Sequence, residues 1–578
     1  MSDRRMLVFL TVALLRVVAA CGAGGNYSTT EEPDWGSSSG APDSAFRECF
    51  GANDCAPGYE CNQFGYCTPI PSGPGPGPTT TDTDMGMMGT PPDLVPPLPP
   101  EVVIRAETPA TGNRYVYVAI SSQNSVAKID SVTLSVTLIP VGNDPGALVT
   151  VPGQDTAVLL NRSDATASVL RAQSDGTDLV ATLPTANPVN HFVMSPDGKN
   201  AIAFFDLRLS KGNLSPSQSL QDVTLIKIGQ GGAADQPINL SVGFAPSRVE
   251  FAADGSKAFV ITQSGVSIID FAKTTKAAIA PTVSVLFDPQ AEAIPDGIVV
   301  TSDGRYALAR IPNLNAARAA DLSSGALTDI KLPEEPSDIE LTSDAALGVA
   351  VLRANNEVAV IPLPGAITDP KQVALIPTGT VTAGQAVLTP DAKRALLFTN
   401  AIDEKAIGIL DLTTHDLATL PLQKGVRNVM VAPDGVNAVI IHSKAPGTSS
   451  TGDQLADYLD KHEAYSLLQI ASGYVKLELT GAAPGQLAFA PDSTSSYVLL
   501  GDESASPPVR EVEAIDLGSF LVKDVTLGSP PVAVGVVTST KQVYIAQDHP
   551  LGRMTFVDTT TFKARTLTGY ALNSQIIN

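Results

Sequence analysis

Alternating apolar and polar positions recur along most of this chain in a unit of about 45 residues. The clearest copy spans residues 114–142, where the runs Tyr-Val-Tyr-Val-Ala-Ile, Ser-Val-Ala-Lys-Ile-Asp and Ser-Val-Thr-Leu-Ile-Pro follow one another. Each run alternates or is rich in β-branched residues, and turn formers such as Gly142-Asn143-Asp144-Pro145 bound it. This period of two predicts short β-strands.

Later copies begin with an extra apolar run that ends in a tight turn. Pairs such as Asp197-Gly198 and Asp344-Ala345 form the tip of this turn, which is typical of a β-hairpin. The tip positions are 153, 197, 254, 303, 344, 391, 434, 492 and 539. Four strands in each interval of 41 to 58 residues are typical of the blades of a β-propeller, so we expect an all-β fold.

The count of units predicts nine full blades and a leading unit of three strands. Residues 574–577 form a predicted strand without a blade, so we expect them to complete the first unit and close the ring. Ten blades exceed the usual four to eight, which leaves open one large ring, two smaller rings, or fewer true blades. The two longest intervals contain insertions at 207–220 and 443–466, and the second predicts a short helix within 453–465.

Residues 114–142, with their Tyr-Val-Tyr-Val-Ala, Ser-Val and Ile-Asp pieces and the Gly-x-x-Pro that follows, resemble the YVTN class of β-propellers. Relatives of that class include lactonase-like proteins. The resemblance extends from Gly112 to the end and implies a propeller fold more specifically than a function. Later units depart from the pattern, because Val169-Leu170-Arg171 lacks the acid and Ala392 and Ser493 replace the tip glycine.

The amino terminus has the pattern of an export signal. Arg4 and Arg5 precede an apolar run, and small residues lead to Cys21, so residues 1–20 are a predicted signal peptide. Residues 18–21 resemble the lipobox of bacterial lipoproteins, which implies acylation of Cys21 and attachment to the cell envelope. Gly22 favours the outer membrane. Arg16 departs from the lipobox pattern, and without acylation of Cys21 the protein would be secreted.

A stalk is expected between the anchor and the propeller. Residues 21–48 are polar and predict a flexible tether, residues 69–111 form a linker rich in Pro, Gly and Thr, and the propeller is assigned to 112–578. Between tether and linker, residues 49–68 contain four evenly spaced cysteines, Cys49, Cys55, Cys61 and Cys67. In an exported chain these predict two disulfides of open connectivity, with a zinc site as the alternative.

The charge balance narrows the class of partner. The net charge is −22 and Lys plus Arg number 37, so the surface repels the phosphate backbone and nucleic acid is not an expected partner. No apolar run approaches the ~18 residues of a membrane span, so we expect membrane contact through the lipid anchor only. We expect a monomer with an unidentified protein or small-molecule ligand.

Candidate binding residues lie six positions before the tips, where the first strand of each unit starts. Six of these nine positions are polar: His191, Arg248, Asp338, Gln385, Asn428 and Gln486. The hypothesis is that they converge at one mouth of the central channel and bind a small ligand or a protein loop. The alternative interpretation is that strand starts are solvated and therefore polar.

Searches for catalytic chemistry yield little. The five histidines stand in separate units without ligand spacing, so we predict no metal site, and no nucleophile elbow or cofactor fingerprint occurs in a fitting context. A binding or scaffolding module without a cofactor is therefore favoured over an enzyme. The alternative is a lactonase-like hydrolase, for which His191, Arg248 and Asp338 are the residues to test.

Overall fold

The computed structural model describes residues 109–173, 175–210, 219–442, 452–572 and 576–577, and the backbone of two short strands nearer the amino terminus. The chain divides into two units, Met1–Leu98 and Pro99–Asn578. In the first unit, Tyr59–Cys61 pairs antiparallel with Cys67–Pro69, and Cys61 stands opposite Cys67. The predicted signal peptide, the acylation of Cys21, the tether, the linker and the disulfides lie outside the described residues and stay predictions.

The second unit consists of ten antiparallel four-stranded sheets, which we number blades 1 to 10 in chain order. Within each blade the strands follow one another along the chain, and we call them first to fourth. Blade 1 has the strands Ala110–Thr111, Tyr115–Ile120, Ser125–Asp130 and Val136–Pro140, and blade 2 has Pro145–Thr150, Thr156–Asn161, Thr166–Ala172 and Asp178–Pro184. Blade 3 has His191–Met194, Asn200–Phe204, Asp222–Lys227 and Gln236–Ser241, and blade 4 has Arg248–Phe251, Lys257–Thr262, Gly265–Asp270 and Thr282–Ser284. Blade 5 has Gly297–Val300, Tyr306–Arg310, Ala316–Asp321 and Leu327–Lys331.

Blade 6 has the strands Asp338–Leu341, Leu347–Leu352, Glu357–Pro362 and Ala374–Pro377, and blade 7 has Gln385–Leu388, Arg394–Phe398, Ala406–Asp411 and Leu417–Pro421. Blade 8 has Val426–Val431, Asn437–His442, Glu463–Gln469 and Tyr474–Thr480, and blade 9 has Pro484–Phe489, Ser495–Asp502, Val509–Asp516 and Leu521–Thr526. Blade 10 has Pro531–Val537, Gln542–Gln547, Arg553–Asp558 and Ala564–Thr568. Two blades gain a fifth strand at the outer edge. Ala278–Ile279 pairs parallel with blade 3, and Ile576–Ile577 pairs antiparallel with blade 10.

Apolar layers between neighbouring blades form the core. Between blades 3 and 4, for example, Phe204 and Leu225 of one sheet pack against Val249 and Ile269 of the next. The same arrangement occurs at all ten blade junctions. Burial of each large apolar side chain contributes about 1.5–3 kcal/mol, so every sheet is stabilised mainly by its two neighbours.

The ring is closed where blade 10 meets blade 1. Val118 of blade 1 and Phe556 of blade 10 are fully buried in one shared apolar layer. In addition, the Tyr544 hydroxyl of blade 10 donates a hydrogen bond to the backbone oxygen of Pro109 at 3.0 Å. The ten units therefore form a single ring, which is one of the alternatives that the unit count left open, and not two smaller ones.

The predicted closing strand is wrong. Ala110–Thr111 pairs with Tyr115–Ile120 and supplies the first strand of blade 1, so the propeller begins before Gly112. Ile576–Ile577 pairs instead with Ala564–Thr568, outside blade 10. The local pairing needs only a short turn, in which the Gly112 amide donates to the Tyr115 oxygen at 2.8 Å, and short loops carry a small closure entropy.

The aspartates at the hairpin tips hold turns together. Asp303 Oδ1 accepts hydrogen bonds from the Thr301 hydroxyl at 2.6 Å and from the Arg305 amide at 3.0 Å. The residue after it, Gly304, has a φ of 67°, a region that favours glycine. Ala345 adopts a φ of 61° at the same place in blade 6. These contacts support the structural interpretation of the repeated acids.

The predicted helix in the second insertion is confirmed. It spans Gln454–Lys461, and the Asp453 carboxylate caps it by accepting hydrogen bonds from the first-turn amides. Of the first insertion, the described part contains the 3-10 turn Leu207–Leu209. The other short helices are Gly365–Thr368, Ser121–Gln123, Pro370–Gln372, Thr538–Thr540 and Tyr570–Leu572. Where the chain is described, none of its helices has the length and apolar character needed to cross a membrane.

A buried acid interrupts the layer between blades 8 and 9. Glu513 is 8% exposed and lies beside Tyr465, which is fully buried. The pKa of Glu513 is raised to about 7, mainly by burial; the Tyr465 hydroxyl opposes the shift, and the nearby carboxylates of Asp524 and Glu478 contribute to it. Glu513 Oε2 has no hydrogen-bond partner among the described residues, so the protonated form of this side chain is the form that the site accommodates best.

We predict that Glu513→Gln changes how stability depends on pH. The pKa of Glu513 is higher in the folded than in the unfolded state, so the wild type loses stability as pH rises between about 4.5 and 7. Glutamine cannot lose a proton, so the variant should gain about 2–3 kcal/mol relative to the wild type between pH 5 and pH 8. Urea unfolding at four pH values measures this difference.

The matched control is Glu503→Gln in the same blade, because Glu503 is exposed and the pKa of its carboxyl is lowered. This control should follow the wild-type pH profile above pH 5. Parallel profiles for Glu513→Gln and the wild type would show that Glu513 ionises normally.

Candidate functional site

The first strands form the inner edge of the ring. First strands of adjacent blades lie against one another at most junctions, including the junction of blade 10 with blade 1. All six polar residues singled out from the sequence lie on these strands. The residue after each of them points into an interblade layer, as the sequence pattern predicted; examples are Phe192, Val249 and Ile339.

Three of the six residues connect one blade with the next. Asp338 Oδ2 accepts a hydrogen bond from the Ala386 amide at 2.9 Å. Gln486 Oε1 accepts one from the Val534 amide at 3.0 Å. These contacts join the first strands of adjacent blades, which supports a structural role for polar residues at strand starts.

Arg248 is the third of these connecting residues, since its Nη2 donates to the Ile298 oxygen of blade 5 at 2.6 Å.

The other three of the six residues make no side-chain hydrogen bond to another blade within the described part of the chain. The ring of His191 packs edge to face on Phe204, and burial lowers its pKa. Asn428 accepts a hydrogen bond from the adjacent Val429 amide, and Gln385 is exposed. That all six form one ligand-binding ring stays a prediction.

A cavity of about 230 Å³ opens on the first strands of blades 4, 5 and 6. It brings together Arg248 and Asp338 from the predicted set, whereas His191 is not part of its lining. The charged lining residues are Arg208, Arg248, Asp296, Arg310, Asp338 and Glu340. The apolar lining residues are Ile261, Ile298, Val299, Leu308 and Ile339.

Strand periodicity positions the charged side chains. In Arg248–Phe251, the second and fourth residues pack into the layer between blades 3 and 4, so Arg248 and Glu250 share the opposite face. In Asp338–Leu341, Ile339 and Leu341 likewise pack between blades 5 and 6, and Asp338 and Glu340 share the other face. Of these four residues, Arg248, Asp338 and Glu340 line the cavity.

Each arginine of the cavity is paired with an acid. Arg248 lies 2.7 Å from Glu250, and Glu250 also accepts a hydrogen bond from the Val300 amide at 3.1 Å. Arg310 lies 3.7 Å from Asp296. The remaining pair is Arg208 with Asp206, 2.7 Å apart.

Asp338 and Glu340 differ from the other acids at this site. Within the part of the chain that the structure describes, neither carboxylate forms an ion pair with an arginine or a lysine. Burial raises the pKa of Glu340 to about 7, the carboxylates of Asp338 and Glu250 add to the shift, and Arg248 opposes it. Burial also raises the pKa values of Asp338 and Glu250. Glu340 can therefore take up or release a proton near neutral pH.

Glu250 and Glu340 are not among the residues predicted from the sequence. Both lie two residues after the repeated strand-start position, where other blades have an apolar residue that packs into a layer: Val193, Val299, Val387, Met430 and Ala488. Comparison of the repeats at this position would have identified the two acids as exceptions. Arg310 and Asp296 could not be found in that way, because they lie outside the first strands.

The histidines have structural surroundings. His442 is buried between the Gly425 oxygen and the Ser466 hydroxyl, and burial lowers its pKa to about 4. His462 contacts Tyr458 instead and does not meet His442. Among the residues with described positions, no group of three or more His, Cys, Asp or Glu side chains is arranged to hold a metal ion.

The strand pairing defines this chain as a ten-bladed β-propeller. No family model matches the sequence, and no curated protein matches it. Among solved structures, it is similar to a eukaryotic initiation factor at 10% identity with a TM-score of 0.46, covering 70% of this chain and 94% of the other. It is also similar to apo AztD from Citrobacter koseri at 14% identity with a TM-score of 0.38, covering 64% and 94%.

A further similar structure is the dihydro-heme d1 dehydrogenase NirN in complex with DHE, at 13% identity with a TM-score of 0.38, covering 61% of this chain and 74% of the other. The three TM-scores are below 0.5, so these similarities carry no argument about function. The assignment as a propeller rests on the strand pairing and the closed series of apolar layers.

We predict that Gln486→Ala lowers the free energy of unfolding by about 1–2 kcal/mol, because the Val534 amide loses its acceptor. Gln486→Glu keeps an acceptor oxygen and should cost less. Gln385→Ala is the matched control in blade 7, since the Gln385 side chain makes no hydrogen bond within the described residues, and it should stay within about 0.5 kcal/mol of the wild type. Urea unfolding distinguishes the variants, and equal effects of both alanine substitutions would contradict the connecting role.

Proposed function

We propose that this protein is a binding module of the cell envelope and that the cavity on blades 4 to 6 is its ligand site. The observation that carries the proposal is the departure of these blades from the repeat. Glu250 and Glu340 stand where other blades place apolar side chains. Glu340 lines the cavity together with Arg248 and Asp338, and Glu250 forms an ion pair with Arg248. Charged groups that replace core residues reduce stability, which favours a role in recognition.

The dimensions of the cavity favour a small ligand. Sites for drug-sized molecules occupy about 300–1,000 Å³, and this cavity has about 230 Å³. Ile298 and Ile339 offer an apolar contact surface, while the charged residues offer directional contacts. We therefore infer that the ligand combines a short apolar part with a polar or charged group.

Attachment to the envelope is supported by the sequence of residues 18–21, which resembles a lipobox. In this proposal Cys21 is acylated, and the segment up to the propeller is a stalk. Two or three acyl chains are sufficient for stable membrane attachment. The YVTN-like residues 114–142 are consistent with an exported propeller.

We expect radioactive palmitate to label the full chain in the cells that produce it, and Cys21→Ala to abolish the label and release the protein from the membrane fraction. Cys49→Ala is the control and should keep the label, because the lipobox-like segment requires only Cys21. Acylation of Cys21 would be contradicted if Cys21→Ala kept the label, or if the wild type carried none.

The second candidate is a lactonase-like hydrolase, and Glu340 is the observation that favours it. A carboxyl whose pKa is about 7 is suited to general-base catalysis, and Arg248 lies near enough to oppose the shift of that pKa. In such a reaction Glu340 would remove a proton from water as its oxygen adds to the acyl carbon. The ester C–O bond would then break, and the proton would pass to the leaving oxygen.

We expect that Gly297→Phe abolishes ligand binding at the cavity. Gly297 lines the cavity, and a Cβ atom built on it meets nothing within 4 Å, so the ring fills the cavity without backbone strain. The full chain is titrated with four-carbon probes, namely n-butylammonium, butyrate, 1-butanol and γ-butyrolactone, and followed by saturation-transfer NMR. Release of acid from γ-butyrolactone tests the hydrolase candidate in the same samples.

The matched control is Gly518→Phe in an exposed turn of blade 9, which should bind like the wild type. Equal binding to the wild type and to a folded Gly297→Phe variant would refute the cavity as the site, as would the absence of binding by all four probes. Hydrolysis that the wild type performs and Gly297→Phe does not would favour the second candidate.

A further inference from the structure

The charges around the cavity do not balance. The charged residues that line it are three arginines and three acids, Arg208, Arg248, Arg310, Asp296, Asp338 and Glu340, and two acids outside the lining, Asp206 and Glu250, pair with Arg208 and Arg248. Each arginine forms an ion pair with one acid, Arg208 with Asp206, Arg248 with Glu250, and Arg310 with Asp296. Asp338 and Glu340 remain without a cationic partner among the described residues, so the cavity has two carboxyl groups in excess.

From this excess we propose that the ligand is a small organic ammonium ion with a short apolar chain, held by Glu340 and Asp338. The proposal rests on the cavity being the ligand site of the protein and names the chemical class of that ligand. An anion is disfavoured, because the three guanidinium groups already have carboxylate partners. A neutral ligand would leave the two carboxyl groups uncompensated.

The placement of the two carboxyl groups suits a primary ammonium. They lie two positions apart on one face of the first strand of blade 6, which corresponds to about 7 Å along the strand. Asp338 Oδ2 accepts a hydrogen bond from the Ala386 amide, so the ligand would bond to Oδ1. An ammonium group has three donors and can bond both side chains at once.

The apolar lining determines which substituent the ammonium group carries. Ile298 and Ile339 are 5% and 7% exposed, and both border the cavity next to fully buried Leu308. A chain of a few carbons would contact Ile298 and Ile339 and bury its own apolar surface against them. The volume of about 230 Å³ accommodates a chain of this length.

Binding of a cation requires ionised carboxylates, so it is linked to pH. Glu340 faces Asp338 on its own strand and Arg248 and Glu250 from blade 4, while Arg310 of blade 5 acts on Asp338. Together with burial these groups hold the pKa of Glu340 at about 7, so its ionised fraction rises from roughly a tenth at pH 6 to roughly nine tenths at pH 8. The affinity for an ammonium ion should therefore rise about tenfold over this range.

The test is calorimetric titration of the full chain with n-butylammonium, butyrate and 1-butanol at pH 6 and pH 8. We expect only n-butylammonium to bind, about tenfold more tightly at pH 8. Glu340→Gln should lower the affinity at pH 8 at least tenfold and remove the pH dependence. Glu357→Gln is the control in the third strand of the same blade and should bind like the wild type.

Asp338→Asn provides a second variant if Glu340→Gln does not fold, because asparagine keeps an acceptor for the Ala386 amide and removes the charge. It should also weaken n-butylammonium binding. Retained affinity and pH dependence in either folded variant would overturn the proposal. If butyrate or 1-butanol bound more tightly than n-butylammonium, the ligand would not be an ammonium ion. If Gly297→Phe abolished that binding, the cavity would still be the ligand site. Absence of binding by every probe would refute both proposals.

Discussion

The apolar layer between adjacent blades is the interaction on which this structure depends. A four-stranded sheet with two apolar faces is stable only between two others, so each blade requires both neighbours and the series must close. Closure is non-covalent, because the layer that joins Val118 with Phe556 connects the two ends of the ring. The hydrogen bond from Tyr544 to the Pro109 oxygen fixes the start of the first blade at the same junction. The ring is therefore held together by the same kind of contact at every junction.

This constraint limits where recognition can arise. The residue after the repeated strand-start position fills a layer, as Ile298 and Ala386 do, and the residue after that also packs into a layer in most blades, as Val299 and Val387 do. Replacement of such a residue by glutamate forgoes about 1.5–3 kcal/mol of apolar burial and adds the cost of desolvating a carboxyl group. Blades 4 and 6 nevertheless carry Glu250 and Glu340 at this position, and the shifted pKa of each reflects that desolvation. A local departure that reduces stability within a regular repeat is where function is expected.

Much of the fold could be predicted from the sequence because its signals are local. At the tip of blade 5, Asp303 accepts hydrogen bonds from residues two positions away on either side. The helix of blade 8 begins after the capping residue Asp453. The first strand of blade 1 could not be predicted, because Ala110–Thr111 has two residues and no alternating pattern. The candidate site was predicted in part. Arg248 and Asp338 lie at a repeated position, whereas the cavity depends on three blades that are adjacent only in the folded ring.

The contacts of the cavity also bear on its rigidity. Glu250 pairs with Arg248 and accepts a hydrogen bond from the Val300 amide. Asp338 lines the cavity and accepts a hydrogen bond from the Ala386 amide. Two carboxylates at the site, those of Glu250 and Asp338, thus belong to the hydrogen bonds between blades. The orientation of Asp338 is fixed before a ligand arrives, so this side chain loses little entropy on binding. The same coupling means that a ligand which pulled Asp338 from Ala386 would weaken the junction of blades 6 and 7. A ligand that uses only Oδ1 of Asp338 and the carboxylate of Glu340 leaves that junction intact, and for this reason a small cation fits the site better than a larger molecule that displaces its walls.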